Sequence, residues 1–408
     1  MKTFEIGGVK ETVYERKDIP NFKQLLKSET VAVLGYGPQG RAQSLNLRDN
    51  GVKVFVCSRK YIDEAKGIKD PGYTNAVADG WVPGETLLED LPTGVRNATV
   101  VMFLLSDAGQ KACWPQIKDH LREGAALYFS HGFSIVYRDL TGVVPPKYVD
   151  VIMVAPKGSG TTLRRLYVAG SGINCSFAVE QNYTGRARER CMALGVGIGC
   201  GYMFETTFKQ EVFSDLTGER GVLMGAIYGL FRAQYDLFRE RGHSPAEAFN
   251  ETVEEATQSL YPLVGENGMD WMYRNCSATA QRGALDWYKK FEQAVRPVFE
   301  ELYEKVASAE ETKRVLEFNS QADYLEKLNQ ELTQIANDEM WLVGKIVREL
   351  RPERSGQGVT FAKAAPKKAA AKKAAPKKAK AAKKPLKAAK KVAKKVAKKV
   401  AKGKKARK

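Results

Sequence analysis

Short β-branched runs punctuate the first half of the chain at 30–34, 53–57, 99–105, 126–129 and 150–154. Each is apolar almost throughout, as strands buried on both faces of a parallel sheet are, and the stretches between them have polar or helical composition. The pattern predicts an N-terminal Rossmann-type, doubly wound α/β domain over 1–208, with further runs at 173–179 and 195–203 completing its sheet. After about Phe208 the β signal fades. Segments with helical spacing follow at 221–241, 244–264 and 284–306, where Ser244, Pro245 and Glu247 read as an N-cap, a first-turn proline and the acid of a capping box. An all-helical domain over 209–353 is therefore expected. Residues 354–360 read as a linker into a Lys-, Ala- and Pro-rich tail ending at 408, predicted to be disordered because it offers no apolar content for a core.

Charge divides the chain in the same place. The net charge over 408 residues is +18. Residues 362–408 hold 21 Lys, one Arg and no acid, leaving 43 cations against 47 anions in 1–361. The body is thus mildly acidic and the tail strongly basic. No stretch approaches 18 uninterrupted apolar residues, and residues 1–20 carry charges instead of an apolar signal core, which argues against membrane spanning and secretion. Cys57, Cys113, Cys175, Cys191, Cys200 and Cys276 lack C-x-x-C spacing, so neither a disulfide framework nor a thiolate zinc site is expected, and a reducing cytoplasm fits. Three histidines, His120, His131 and His243, nearly exclude a metal held by several imidazoles. A metal centre must rely on carboxylates, which favours magnesium.

The run 31–34 leads directly into Gly35-Tyr36-Gly37-Pro38-Gln39-Gly40, followed by helix-compatible sequence over 41–48. A bare G-x-G-x-x-G is often only a tight turn. The order of strand, glycine turn and helix is what brings backbone N–H groups and a helix N-terminus against a dinucleotide pyrophosphate. At the end of the second strand an acid would bond a ribose 2′-OH, whereas basic groups accommodate a 2′-phosphate. Ser58-Arg59-Lys60 stands there, favouring NADPH, unless Arg59 and Lys60 are simply solvated loop charges.

Asp215 with Glu219, and Glu251 with Glu255, are four residues apart, so on helices each pair projects from one face within reach of one cation cluster. Such pairs are common on solvated surfaces. Around Asp215 and Glu219, however, small and apolar residues suggest burial, and a buried acid needs a counter-charge.

Several motifs occurring in order closely resemble the ketol-acid reductoisomerase family: the glycine turn, Ser130-His131-Gly132-Phe133, Ala155-Pro156-Lys157-Gly158, Asp215-Leu216-Thr217-Gly218-Glu219, Glu251-Thr252-Val253-Glu254-Glu255 and Cys276-Ser277-Ala278-Thr279-Ala280. The match spans about Lys10 to about Glu353, and its single helical region is similar to the short form. The resemblance implies a knotted helical domain and a two-step reaction in valine and isoleucine synthesis. A 2-acetohydroxy acid would undergo magnesium-dependent alkyl migration, and NADPH would reduce the product to a 2,3-dihydroxy acid. It further implies that Asp215 bridges two Mg²⁺ ions, that Glu219 binds one of them, and that Glu251, Glu255 and the substrate-binding Ser277 arrive from the partner subunit of a homodimer. His131 and Lys157 would line the reacting centre, with Ser106, Gln110 and Gly132 near the cofactor.

Two features depart from the short form. The segment 60–80 is longer than expected and is followed by Trp81-Val82-Pro83-Gly84, which looks like the fungal branch. No transit-peptide pattern precedes Lys10, so a cytoplasmic protein is expected. The tail repeats resemble those of linker histones, and their cations would bind nucleic acid through phosphate alone, by counterion release, unless the tail is an incidental solubilising extension. A metal-free β-hydroxyacid dehydrogenase would share the layout but leave both acid pairs unexplained. A DNA-associating structural protein would leave the intact motifs unexplained.

Overall fold

A computed structural model describes residues 1–60, 62–63, 68–69 and 71–351. The linker and basic tail expected beyond 353 lie outside the described residues.

The apolar runs form strands. In chain order these are β1 (Lys2–Ile6), β2 (Val9–Glu15), β3 (Thr30–Leu34), β4 (Lys53–Cys57), the short pair β5 (Ile62–Asp63) and β6 (Ile68–Lys69), β7 (Leu87–Leu88), β8 (Val100–Phe103), β9 (Ala126–Phe129), β10 (Asp150–Pro156), β11 (Ile173–Gln181) and β12 (Cys200–Glu205). All but β5 and β6 join one sheet in the order β1-β2-β12-β11-β10-β9-β8-β3-β4-β7. From β7 to β10 every neighbour is parallel. The carboxyl ends of β3, β4, β8, β9 and β10 therefore share one edge, where ligands of open α/β sheets bind. Val31 and Val33 pack into one apolar layer while Ala32 and Leu34 pack into the other, which is why β3 reads as unbroken apolar sequence.

The main helices are α1 (Pro38–Asp49), α2 (Asp107–Ile117), α3 (Gly160–Val168), α4 (Ala187–Ile198), α5 (Phe208–Arg220), α6 (Gly225–Glu240), α7 (Ala278–Ala307), α8 (Glu310–Asn319), α9 (Tyr324–Ala336) and α10 (Glu339–Glu349). The expected strand at 195–203 needs correction. Residues 195–198 are the last turn of α4, which stops at Gly199 with φ +100°, and the strand begins only at Cys200. A short buried apolar run does not distinguish helix from strand, and the left-handed glycine made the decision. Nor does the charged N-terminus announce the β1–β2 hairpin, which joins the sheet through β2 and β12.

The cysteines bring a second correction. Cys175 and Cys200 form a disulfide across the parallel neighbours β11 and β12. Spacing rules miss a pair 25 residues apart that strand pairing brings together.

At the amino edge of the sheet, Arg190 on α4 spans the starts of four strands, β3, β8, β9 and β10. It donates to Glu29 (2.9 and 3.1 Å), to Asp150 (3.0 Å) and to the carbonyls of Gly124 and Thr99. All three charged groups are buried, and each is paired.

Beyond α5 the packing thins. One small apolar cluster gathers Val306 and Leu316 against Phe133, Tyr137, Val212 and Leu216, and another gathers Phe249 and Met340 around Tyr235. Of the 30 residues of α7 only Val306 is buried, and α9 buries none. Ser244 caps its helix as expected, accepting from Glu247 N at 3.2 Å, but the Glu247 carboxylate pairs with His243 instead of closing the box. That helix, Pro245–Phe249, runs into two π-helical turns, Asn250–Glu254 and Ala256–Leu260.

Candidate active site

The glycine turn is shaped by close contacts. A Cβ on Gly40 would lie 2.1 Å from the carbonyl oxygen of Gly35, and one on Gly160 would lie 2.0 Å from that of Pro38, so α1 and α3 approach the loop through bare backbone. Gly35 itself sits at φ +96° beside the carbonyl of Leu104. Pro38 opens α1, and Gln39 Nε2 donates to Gly158 O at 3.0 Å, tying the loop to the end of β10. A cavity of about 930 Å³ opens over this turn, lined by Gly35, Tyr36, Gly37, Pro38, Ser58, Arg59 and Ser106 among others. Among the described residues its lining also holds Arg41, Arg48, Arg164 and Arg165 against a single acid, Asp79, which Arg41 and Tyr36 already engage. Such a basic, glycine-floored cleft at a helix N-terminus fits a dinucleotide.

The expected cofactor residues divide by position. Ser58 and Arg59 line the cleft. Lys60 stands 6.0 Å over the Tyr73 ring. Ser106 caps α2 by accepting from Gly109 N, and buried Gln110 donates to the carbonyls of Phe103 and Leu105 (3.0 Å each), bracing the end of β8.

On the same edge, His131 follows β9 and Lys157 follows β10, and both converge on a residue the sequence reading missed. Glu211, on α5, is almost fully buried. Its Oε2 lies 3.0 Å from His131 Nδ1 and accepts from Gly132 N at 3.1 Å, while Oε1 lies 3.2 Å from Lys157 Nζ. Asp215, one turn on, lies 3.3 Å from His131 Nδ1. Among the described residues, His131, Glu211 and Asp215 are the one group of three or more potential metal ligands with all donor atoms within 4.8 Å. A signal for Glu211 was present: Glu211, Asp215 and Glu219 repeat at four-residue spacing on one helix, and only the last two were read as a pair.

Burial opposes charge on His131, but the bond and charge of Glu211 outweigh it and push the imidazole up to about 9. For Glu211 burial acts upward, and His131 and Lys157 prevail, holding the carboxyl below its usual range. Burial raises Asp215, with Glu211 adding to the rise, and it raises Glu219, with Asp215 adding. Asp107, at the start of α2, is likewise raised by burial, partly offset by His131. Several acids thus crowd together with too little positive charge among them. An oxygen-rich, electron-dense donor set of this kind fits a hard divalent cation.

Glu251 and Glu255 do not join the group within one chain. Both are exposed, and neither carboxylate has a cation partner among the described residues. Ser277 is exposed and caps α7, accepting from Ala280 N at 3.2 Å. The structure therefore brings His131, Lys157, Asp215 and the adjoining Glu219 to the sheet edge, and leaves Glu251, Glu255 and Ser277 apart from them.

Family models agree with this layout. Residues 25–203 match the acetohydroxy acid isomeroreductase NADPH-binding domain, and residues 208–353 match the ketol-acid reductoisomerase C-terminal domain. The chain belongs to the ketol-acid reductoisomerase family. It is 58% identical over 355 residues to a ketol-acid reductoisomerase (NAD(+)) of Desulfosudis oleivorans, covering 86% of this chain and 98% of that one. It is 56% identical over 355 residues to a mitochondrial ketol-acid reductoisomerase of Neurospora crassa, covering 86% of each. A solved NADH-preferring ketol-acid reductoisomerase from an uncultured archean superimposes with a TM-score of 0.74 at 31% identity, covering 84% of this chain and 99% of that one. Membership places the chain among the oxidoreductase–isomerases of branched-chain amino-acid biosynthesis, with a nicotinamide-dinucleotide domain and the short form's single helical region. The NADPH preference expected from Ser58-Arg59-Lys60 meets relatives named for NAD(+) and NADH, so the family fixes the nicotinamide and not the 2′-phosphate. No helix among the described residues is long and apolar enough to cross a membrane.

Proposed function

We propose that the chain converts 2-acetolactate or 2-aceto-2-hydroxybutyrate to the 2,3-dihydroxy acid, by magnesium-dependent alkyl migration followed by reduction with NADPH. The observation that carries this reading is the His131–Glu211–Asp215 cluster, an under-compensated acid group on the same sheet edge as the dinucleotide cleft. Asp215 and Glu219 would hold two Mg²⁺ ions, with Glu251 and Glu255 of a second copy completing the set. Bound there, the ions would supply Lewis-acid polarisation of the substrate's hydroxyl and ketone oxygens. NADPH supplies the hydride.

The chain's own groups orient and move protons. Lys157 and His131 clamp Glu211 from either side, keeping it ionised and fixing the stripe of acids behind it. Protons exchange along His131 Nδ1, Glu211 and Lys157 Nζ, and this relay provides the one taken up by the reduced keto oxygen. Gly132 lets α5 come close, since a Cβ there would stand 2.8 Å from the carbonyl of Phe208. Ser277 of the partner binds the substrate carboxylate. Arg59, with Ser58 and Lys60, receives the cofactor's 2′-phosphate.

The homodimer is supported by the exposed apolar faces of the helical half. Leu325, Leu328, Leu332 and Ile335 form a solvent-facing stripe along α9, and Trp287 (56% exposed) and Phe291 (55%) stand out from α7. Domain boundaries at 1–208, 209–353 and 354–408 belong to the same reading. So does a cytoplasmic location, which rests on composition and is tested by detecting the protein in cell fractions.

NADPH oxidation with 2-acetolactate, with and without Mg²⁺ and with Asp215→Asn as control, tests the activity. Turnover without Mg²⁺ would identify a simple dehydrogenase instead. The 22 cations of the tail favour one further reading, association with nucleic acid. Truncation after Glu353 is expected to abolish salt-sensitive retention on DNA and leave turnover unchanged. Loss of turnover would assign the tail to the enzyme.

A further inference from the structure

Beyond α5 one acid among the described residues is buried and bound as firmly as the charges of the sheet. Glu254, 5% exposed, accepts Arg351 Nε at 2.6 Å on Oε1 and the Arg351 guanidinium NH2 at 2.9 Å on Oε2. A two-pronged pair of this kind fixes orientation as well as distance. Its surroundings are equally specific. Glu254 belongs to the π-helical turn Asn250–Glu254, a form of helix frequent at functional sites. The flanking Glu251 and Glu255 face outward without a cation, whereas Thr252, Val253 and Glu254 face inward. Arg351 lies just past Leu350, the C-cap of α10, and α10 seats closely under the preceding turn: a Cβ on Gly344 would lie 2.4 Å from the Phe249 ring.

We propose that Arg351 is a positioning residue for Glu251 and Glu255. Its grip on Glu254 fixes the rotation of the π-helical turn about its own axis, and so fixes the direction in which the two outward carboxylates meet a divalent cation. The proposal rests on the reading of Glu251 and Glu255 as cation ligands. It also draws a boundary at the end of the enzyme, with Arg351 on the functional side and the basic tail beyond it.

The test is Mn²⁺ binding to the full-length protein without substrate, followed by the electron paramagnetic resonance signal of free Mn²⁺, with helicity and NADPH binding recorded alongside. Arg351→Lys keeps the charge but loses the fork. The double variant Glu254→Gln/Arg351→Met removes both charges, so neither is left buried alone. Both are expected to keep native helicity and NADPH binding and to weaken Mn²⁺ binding by about tenfold, as loss of an orienting partner behind a ligand does. Folded variants with native Mn²⁺ affinity overturn the positioning role if Glu251→Gln/Glu255→Gln still weakens binding. Native affinity in Glu251→Gln/Glu255→Gln overturns the ligand reading itself, and the positioning role with it.

Discussion

The sheet half and the helical half handle apolar surface in opposite ways. Strands β3, β8, β9 and β10 bury nearly every side chain between two continuous layers, and the one charged cluster at their amino edge, around Arg190, is fully paired. In the helical half, α7 and α9 present Trp287, Phe291 and Leu332 to solvent, and the acids Glu251 and Glu255 have no cation. One half completes itself within a single chain. Among the described residues the other lacks both the apolar partner for its helices and the positive charge for its acids, and the proposed homodimer with bound cations would supply the two together. Helix α5 bridges the two halves within one chain, since Phe208 enters a sheet layer while Val212 and Leu216 meet Phe133 and Tyr137 on one side and Val306 and Leu316 on the other. That seating explains why the Glu211, Asp215 and Glu219 stripe is formed in one chain.

The largest expected effect tests that stripe. Glu211→Gln and Lys157→Met should each lower kcat by about 10³-fold while leaving NADPH affinity unchanged; parallel turnover and cofactor-fluorescence titrations check both. Near-native turnover in Glu211→Gln would remove the cluster from the chemistry. Next, Arg190→Met leaves Glu29 and Asp150 buried without their cation and should destabilise the sheet half by about 3–5 kcal/mol. Chemical denaturation should show this loss at every protein concentration, because one chain closes that half. Trp287→Glu or Leu332→Glu should instead weaken self-association by about 2 kcal/mol, roughly thirtyfold, read by sedimentation equilibrium. A self-association constant unchanged from the native chain in both would break the contrast between the halves.

The smallest effect concerns acid. Arg314 and Arg220 hold Glu311 down at about 2, well below its ordinary 4.5. A depressed carboxyl stabilises the fold fully above its unfolded value and loses that contribution as pH falls toward the folded one. Glu311→Gln should therefore lower the melting temperature by a few degrees at neutral pH, where that contribution is complete, and flatten its fall between about pH 4.5 and 2, so that the variant and the native chain converge in acid.

Much of the site was legible because parallel strands and glycine turns leave local marks. Gly35 to Gly40 sits where strand meets helix, and the strand-end positions of His131 and Lys157 follow from hydrophobic runs alone. Glu211 escaped notice because its importance comes from partners 80 and 54 residues away, not from its own neighbours. The false strand at 195–198 and the missed Cys175–Cys200 bond have the same origin, since a left-handed glycine and a strand register decided them.

By itself the sequence determined most strands of the parallel sheet and the helical character of the second half, where the dinucleotide turn lies, and where the acidic body gives way to the basic tail. Each of these depends on residues within a few positions of one another. Tertiary structure alone decided that Glu211 is the group clamped by His131 and Lys157, that Arg190 holds four strand starts together, and that Arg351 grips Glu254 across 97 residues. Hydrogen bonds and ion pairs act over a few ångströms of space whatever the distance along the chain, and the fold settles which charged groups come within that range.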